Sequence, residues 1–100
     1  MSFVFNTSFY VSDLHQRQWE EWLYQEMIPG VKGFMPGMEA EVFEVVSVSQ
    51  ENNTLFSVQW RCANDMQVQD LDEYIAGLLA TLPMLFGEQV THFSSIMKKL

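Results

Sequence analysis

Two stretches of the sequence alternate with a period of two, which is typical of β-strands with one buried face. One set of alternate positions is apolar and comprises Phe3, Phe5, Phe9 and Val11 in residues 3–11 and Phe56, Val58, Trp60 and Cys62 in residues 55–62. The opposite set is mostly polar and almost uncharged, and it comprises Val4, Asn6, Ser8, Tyr10, Leu55, Ser57, Gln59 and Arg61. Because a sheet face in water normally carries Lys and Glu, we predict that a partner or a ligand covers this second face.

A first helix is predicted from Asp13 to about Met27, because apolar residues recur there with the helical period. Its buried stripe comprises Trp19, Trp22, Leu23 and Met27. Pro29 and Gly30 are expected to end this helix. Residues 29–37 hold two prolines and three glycines, so we interpret them as a mobile loop near the mouth of any cavity.

A second helix is predicted to begin at Asn64 or Asp65 and to run through Leu85. Pro83 is expected to kink or end it, and Gly87 is a natural stop at its carboxyl end. The apolar stripe of this helix comprises Leu71, Tyr74, Ile75, Leu78, Leu82 and Leu85.

Two further strands complete the pattern, at residues 38–49 and 88–97, and residues 50–53 are predicted to form a hairpin turn. The element order βαββαβ predicts an α+β fold of the ferredoxin-like kind, with residues 1–100 forming a single domain. We expect a four-stranded antiparallel sheet with two helices on one face. The predicted core comprises Phe5, Phe9, Trp22, Phe56, Val58, Trp60, Leu78, Leu82 and Phe93.

The charge of the chain limits its partners. Thirteen acidic and five basic residues give a net charge of -8, which repels phosphate backbones and anionic lipid surfaces. Neither nucleic acid nor a membrane is therefore expected as a partner. The single cysteine, Cys62, excludes an internal disulfide and fits a reducing compartment. With neither a bilayer-spanning apolar run nor a leader pattern in the sequence, we expect a cytoplasmic protein.

The polar sheet face supplies the candidate site residues, and His92 is predicted to join it through the final strand. The candidates for a ligand cavity are Asn6, Ser8, Tyr10, Ser57, Gln59, Arg61, His92 and Ser94. An enzyme would use His92, Asn6 and Arg61 around a substrate. The favoured interpretation of His92 is a histidine hydrogen-bonded across a dimer interface. Two distant histidines and one cysteine do not form a metal site, so we expect neither a metal nor a cofactor.

Several short motifs resemble those of a small bacterial domain family of unknown function. They are Trp19-x-x-Trp22-Leu23, Ile28-Pro29, Ser57-Val58-Gln59-Trp60, and Phe86-Gly87 before a strand that contains Phe93. That family is similar in fold to the dimeric α/β-barrel proteins, in which two ferredoxin-like subunits pack sheet to sheet. The resemblance implies a homodimer and no established activity. Members often carry His where Met27 stands here and Arg where Ser94 stands, so an activity that depends on those residues is not implied for this chain.

Three functions are compatible with these observations. The favoured one is a non-catalytic homodimer, a structural protein or one that binds a small apolar or amphipathic ligand at the polar sheet face. The alternative is a cofactor-independent monooxygenase or isomerase of the dimeric α/β-barrel type. A third possibility is an interaction module whose acidic surface binds another protein. The fold alone does not choose among them, because this scaffold carries many chemistries.

Overall fold

The computed structural model describes residues 2–47 and 51–100 of the chain. The elements in these two ranges follow the predicted order. They are β1 (Phe3–Ser12), a 3-10 turn (Asp13–His15), α1 (Gln16–Trp22), a π-helical turn (Leu23–Met27), α2 (Ile28–Phe34), β2 (Ala40–Glu44), β3 (Asn53–Cys62), α3 (Asp65–Leu79), α4 (Leu82–Phe86), a second 3-10 turn (Gly87–Gln89) and β4 (Val90–Lys98). The helices before β2 form one helical segment and those after β3 form a second, as in ferredoxin-like proteins.

The four strands of the described residues form one antiparallel sheet in the order β2-β3-β1-β4. The central strand β1 pairs with both β3 and β4, and Phe9 lies opposite Phe56 on one side and His92 on the other. Directly opposed residues of an antiparallel pair share a face of the sheet. The predicted facing of β1 and β3 is confirmed. The apolar set is buried beneath the helices at Phe5, Phe9 and Val11 of β1 and at Phe56, Val58, Trp60 and Cys62 of β3.

The core lies between that sheet face and the two helical segments. The Trp19 ring stacks on Phe56 with centroids 4.6 Å apart, and Phe9 approaches the same indole at 5.1 Å. Seven of the nine predicted core residues are buried, and Leu78 is half-buried against the cluster. The apolar stripe of the first helix is confirmed in full, since each of its four residues is buried.

The prediction that Phe93 belongs to the core is wrong. Phe93 is 51% exposed and lies opposite Ser8, on the sheet face turned away from the helices. The neighbouring His92 lies opposite Phe9 and therefore faces the helices. When a strand shifts by one residue relative to its neighbour, its two faces are exchanged. In β4 both sets of alternate residues mix polar with apolar side chains, so neither set is marked as the buried one. The pairing of β4 with β1 decides which of the two sets faces the helices.

The prediction of a mobile loop at residues 29–37 is also wrong, because the first helical segment continues to Phe34. The Ile28 amide donates to the Leu23 carbonyl five residues earlier, which widens the helix by one residue. Pro29 follows this wide turn, where its missing N–H and its ring are tolerated. Val31 is fully buried, so the segment is anchored in the core and does not form a lid.

The second helical segment follows the prediction more closely. The Asn64 side chain caps α3 by accepting from the Gln67 amide at 2.9 Å. Helix α3 ends at Leu79, and Pro83 stands in the first turn of α4, so the proline marks the break as predicted. Gly87 ends α4 with a φ of 57°, a conformation that glycine adopts without strain.

The predicted strand at residues 38–49 is shorter in the structure. Strand β2 covers Ala40–Glu44 and forms an edge of the sheet, as expected. Val48, Ser49 and Gln50, which belong to the predicted strand and hairpin turn, lie outside the described residues. Asn52, in the same turn, has a φ of 66°, in agreement with the tolerance of asparagine for this conformation.

Removing the Phe56 ring should be severely destabilising. We expect Phe56→Ala to lower the free energy of unfolding by about 3–5 kcal/mol, because the transfer and cavity terms add at a buried aromatic site. The control is Met84→Ala, since Met84 is 89% exposed on the second helical segment and should change it by less than about 0.5 kcal/mol. Urea denaturation measures both values, and similar losses in the two variants would contradict the described core.

The two glycines of α2 should respond differently to alanine. A Cβ at Gly30 would lie 2.7 Å from the Tyr74 hydroxyl, whereas a Cβ at Gly33 would meet no atom within 4 Å. We expect Gly33→Ala to stabilise the protein by about 0.5–1 kcal/mol through helix propensity. Gly30→Ala should instead destabilise it by about 1 kcal/mol, and Tyr74→Phe should relieve that loss. Equal effects of the two alanines in urea denaturation would contradict this close approach of the helical segments.

Candidate functional site

The sheet face turned away from the helices, which we call the open face, carries most of the predicted site residues. Strand register assigns to it Val4, Asn6, Ser8, Tyr10, Leu55, Ser57, Gln59 and Arg61 from β1 and β3, Glu41 and Phe43 from β2, and Thr91, Phe93, Ser95 and Met97 from β4. Six of the eight predicted cavity residues therefore share one face. The remaining two, His92 and Ser94, do not.

A hydrogen-bonded cluster of amides and hydroxyls occupies the centre of the open face. The Ser57 hydroxyl donates to Asn6 Oδ1 at 2.5 Å, Asn6 Nδ2 donates to Ser8 Oγ at 3.1 Å, and Gln59 Nε2 donates to Ser57 Oγ at 3.2 Å. Asn6, Ser8 and Ser57 are each only 8% exposed. Polar groups that are nearly buried are expected to be hydrogen-bonded, and here they satisfy one another. We call Asn6, Ser8, Ser57 and Gln59 the amide–hydroxyl cluster.

Large apolar side chains flank the amide–hydroxyl cluster. Phe43 and Met97 are each 45% exposed, and Phe93 is exposed to a similar degree. The Tyr10 and Phe93 rings are neighbours, with centroids 6.4 Å apart. These side chains come from both edge strands and from β1, so they lie on two sides of the polar centre. The contribution of Phe43 was not predicted, although its alternation with Val42 on β2 places it on this face.

Among the strand residues that the structure describes, charge on the open face is confined to one ion pair. Arg61 Nε lies 3.1 Å from Glu41 Oε1, and both side chains are largely accessible to water. An exposed pair of this kind contributes little to stability. It does neutralise the one basic residue that the sequence assigned to this face, so the open face has almost no net charge.

His92 and Ser94 lie on the helix-facing side of β4, which corrects their predicted place on the polar face. The Ser94 hydroxyl is 3.0 Å from the Thr7 hydroxyl, and the His92 ring is 6.3 Å from the Phe9 ring. Partial burial lowers the pKa of His92 below its usual value, since desolvation disfavours the charged imidazole. The three residues proposed for catalysis, His92, Asn6 and Arg61, are therefore not brought together on one surface.

The other chemical candidates behave as core or peripheral groups. Cys62 is buried at the end of β3, and desolvation raises the pKa of its thiol, which opposes formation of the nucleophilic thiolate. Within residues 2–47 and 51–100, no group of three His, Cys, Asp or Glu side chains could hold a metal ion. Over the same residues, the structure contains no helix with the length and apolar character needed to span a membrane.

Comparison with known proteins agrees with this fold. Residues 2–100 match a family model described as Domain of unknown function (DUF4286). The chain is similar to the de novo designed protein Foldit4, with a TM-score of 0.69 and 14% identity over 100% of both chains. No curated protein matches the sequence.

Two natural proteins of known structure are also similar to the chain. One is a dimeric ferredoxin-like protein from an uncultured marine organism, at 11% identity and a TM-score of 0.59, covering 99% of this chain and 96% of that chain. The other is an ethyl tert-butyl ether d family protein from Bacillus halodurans, at 15% identity and a TM-score of 0.60. The match covers 98% of this chain and 99% of that chain. At such low identity, the similarity shows the ferredoxin-like fold alone.

The lowered pKa of His92 predicts a pH dependence of stability. Between the folded pKa and the unfolded value of about 6.5, the unfolded chain binds more protons than the folded one. We therefore expect the contribution of His92 to stability to fall as the pH decreases below about 6.5. Titration of the His92 Hε1 resonance by NMR should give a lower midpoint in the folded protein than in urea. A midpoint at or above the value in urea would contradict the assigned position, and His92→Gln should remove this part of the pH dependence.

Proposed function

The chain belongs to the DUF4286 family, a domain of unknown function, and we propose that it acts as a homodimer whose two open faces pack together and enclose a small ligand-binding cavity. The ligand class is a small apolar or amphipathic molecule. The proposal concerns binding, not catalysis, because the amide–hydroxyl cluster at the centre of the open face consists of asparagine, glutamine and serine side chains, none of which is a general acid or base by itself.

The observation that carries the proposal is the combination of exposed aromatic rings with an almost uncharged, nearly buried polar centre. Phe43 and Phe93 expose about half of their surface on the same face of the sheet. Large apolar side chains that stay exposed on two sides of a polar centre mark an interaction surface more often than a solvated one. Most of the 13 acidic residues lie elsewhere, so charge repulsion between two open faces is small.

The amide–hydroxyl cluster suits a two-fold interface. Amides and hydroxyls both donate and accept, so each group can pair with the same group of a second copy, directly or through a water molecule. The flanking apolar side chains would then supply the buried area. A stable interface of this kind buries at least about 1,000 Å² in total.

The proposed cavity would lie where the polar centres of the two copies face each other. Small-molecule sites combine apolar walls with a few placed polar groups. Here Tyr10, Leu55 and Phe93 would form walls, and Asn6 and Gln59 would orient a ligand. A similar protein from an uncultured marine organism is described as dimeric, which adds support for self-association of this fold.

The homodimer can be tested by charge insertion on the two sides of the sheet. We expect sedimentation velocity at 50 µM to give the wild-type protein twice its chain mass of 11.7 kDa. Phe93→Asp and Phe43→Asp should produce folded monomers, because each carboxylate would be buried without a partner in the interface. Met84→Asp, at an exposed position of the second helical segment, is the matched control and should leave the dimer intact.

The same proteins test the cavity. The uncharged fluorophore N-phenyl-1-naphthylamine should bind the wild type and Met84→Asp with a stoichiometry of one per dimer, and Phe93→Asp should lose this binding. A monomeric wild-type protein would refute the proposal. So would a dimer that Met84→Asp dissociates and Phe93→Asp does not.

A further inference from the structure

A second concave surface lies on the helical side of the molecule. It is a groove of about 820 Å³ between the first helical segment and the end of the second. Its apolar walls are Trp22, Leu78, Leu85 and Phe86. Polar residues line the rest of the groove, namely His15, Gln18, Glu21, Gln25, Glu26 and Thr81. Small-molecule sites have volumes of this order and combine apolar walls with polar groups. Because the helices cover the opposite side of the sheet from the open face, the groove stays accessible when two open faces pack together.

The charged residues that line the groove are acidic. Glu21 and Glu26 line it, and in the part of the chain that the structure describes no Lys or Arg does so. Arg17 lies beside the groove, where its Nε is 3.7 Å from Glu21 Oε1, but its side chain is almost fully exposed. Glu26 has no ion-pair partner among the described residues. A cation above the apolar walls would therefore meet an unpaired carboxylate.

A polar atom without a partner lies at the amino end of the same groove. The Nδ1 atom of His15 is buried and has no hydrogen-bond partner in residues 2–47 and 51–100. The residue stands between the 3-10 turn and α1, and its side chain lines the groove. A buried ring nitrogen is normally paired with protein, water or ligand.

From these observations we propose that the groove binds a small cationic amphiphile, with an apolar body and an ammonium group. The body lies against Trp22, Leu85 and Phe86, and the ammonium pairs with Glu26. His15 lines the amino end of the site. Coulomb attraction to the carboxylates, strengthened by the net charge of the chain, selects the cation over an anion of the same shape. This site is distinct from the dimer cavity and does not depend on it.

The charge preference can be measured with matched probes. We expect n-octylammonium to shift the amide resonances of Glu21, Glu26, Leu78 and Phe86 saturably in 15N NMR spectra, together with the Nδ1 resonance of His15. Octanoate, with the same chain length and the opposite charge, should bind at least about tenfold more weakly, equivalent to about 1.4 kcal/mol. Octanol should fall between the two.

Two isosteric variants locate the charge. Glu26→Gln should weaken octylammonium binding about fivefold, as expected for the loss of one partly exposed carboxylate. Glu73→Gln makes the same change of net charge on the exposed side of α3, away from the groove, and should leave the affinity unchanged. Equal affinities for octylammonium and octanoate, equal effects of the two variants, or shifts confined to open-face residues would each overturn the proposal.

Discussion

The pairing of β1 with both of its neighbours decides which side chains of the sheet reach the helices. Phe9 lies between Phe56 and His92, and its ring contacts Trp19. Because alternate residues of a strand point to opposite faces, the burial of Phe5 and Phe9 fixes the facing of β3 and β4 as well. The sheet side of the core and the composition of the open face follow from this register.

The same register forces Asn6, Ser8 and Tyr10 onto the opposite face of β1. Asn6 and Ser8 are nearly buried even without a second copy. Asn6 donates to Ser8 and accepts from Ser57 on β3, and Ser57 in turn accepts from Gln59. Such a preformed cluster loses little conformational entropy when another surface covers it. This preformed cluster supports the proposed interface at the open face, whereas the helical side presents acidic residues and a separate groove.

The sequence predicts much of this arrangement, and its failures have identifiable causes. Large aromatic residues alternate with uncharged polar ones in β1 and β3, so the two faces could be assigned. Strand β4 lacks that contrast: His92 and Phe93 exchange their predicted faces because only long-range pairing with β1 assigns them.

The helix beyond Pro29 was missed because a wide turn at Leu23 accommodates the proline, which overrides the rule that a proline ends a helix. The groove was missed because its walls come from helices distant in sequence, and no local pattern marks the buried nitrogen of His15.

The most direct test of the central claim is an isotope-filtered NOE measurement on an equimolar mixture of 13C-labelled and unlabelled protein. We predict intermolecular NOEs between the methyl groups of Leu55 or Met97 in one copy and the ring of Phe43 or Phe93 in the other. The absence of filtered NOEs at these side chains would contradict a dimer formed through the open face. NOEs confined to the helical side, at Met84 for example, would contradict it equally.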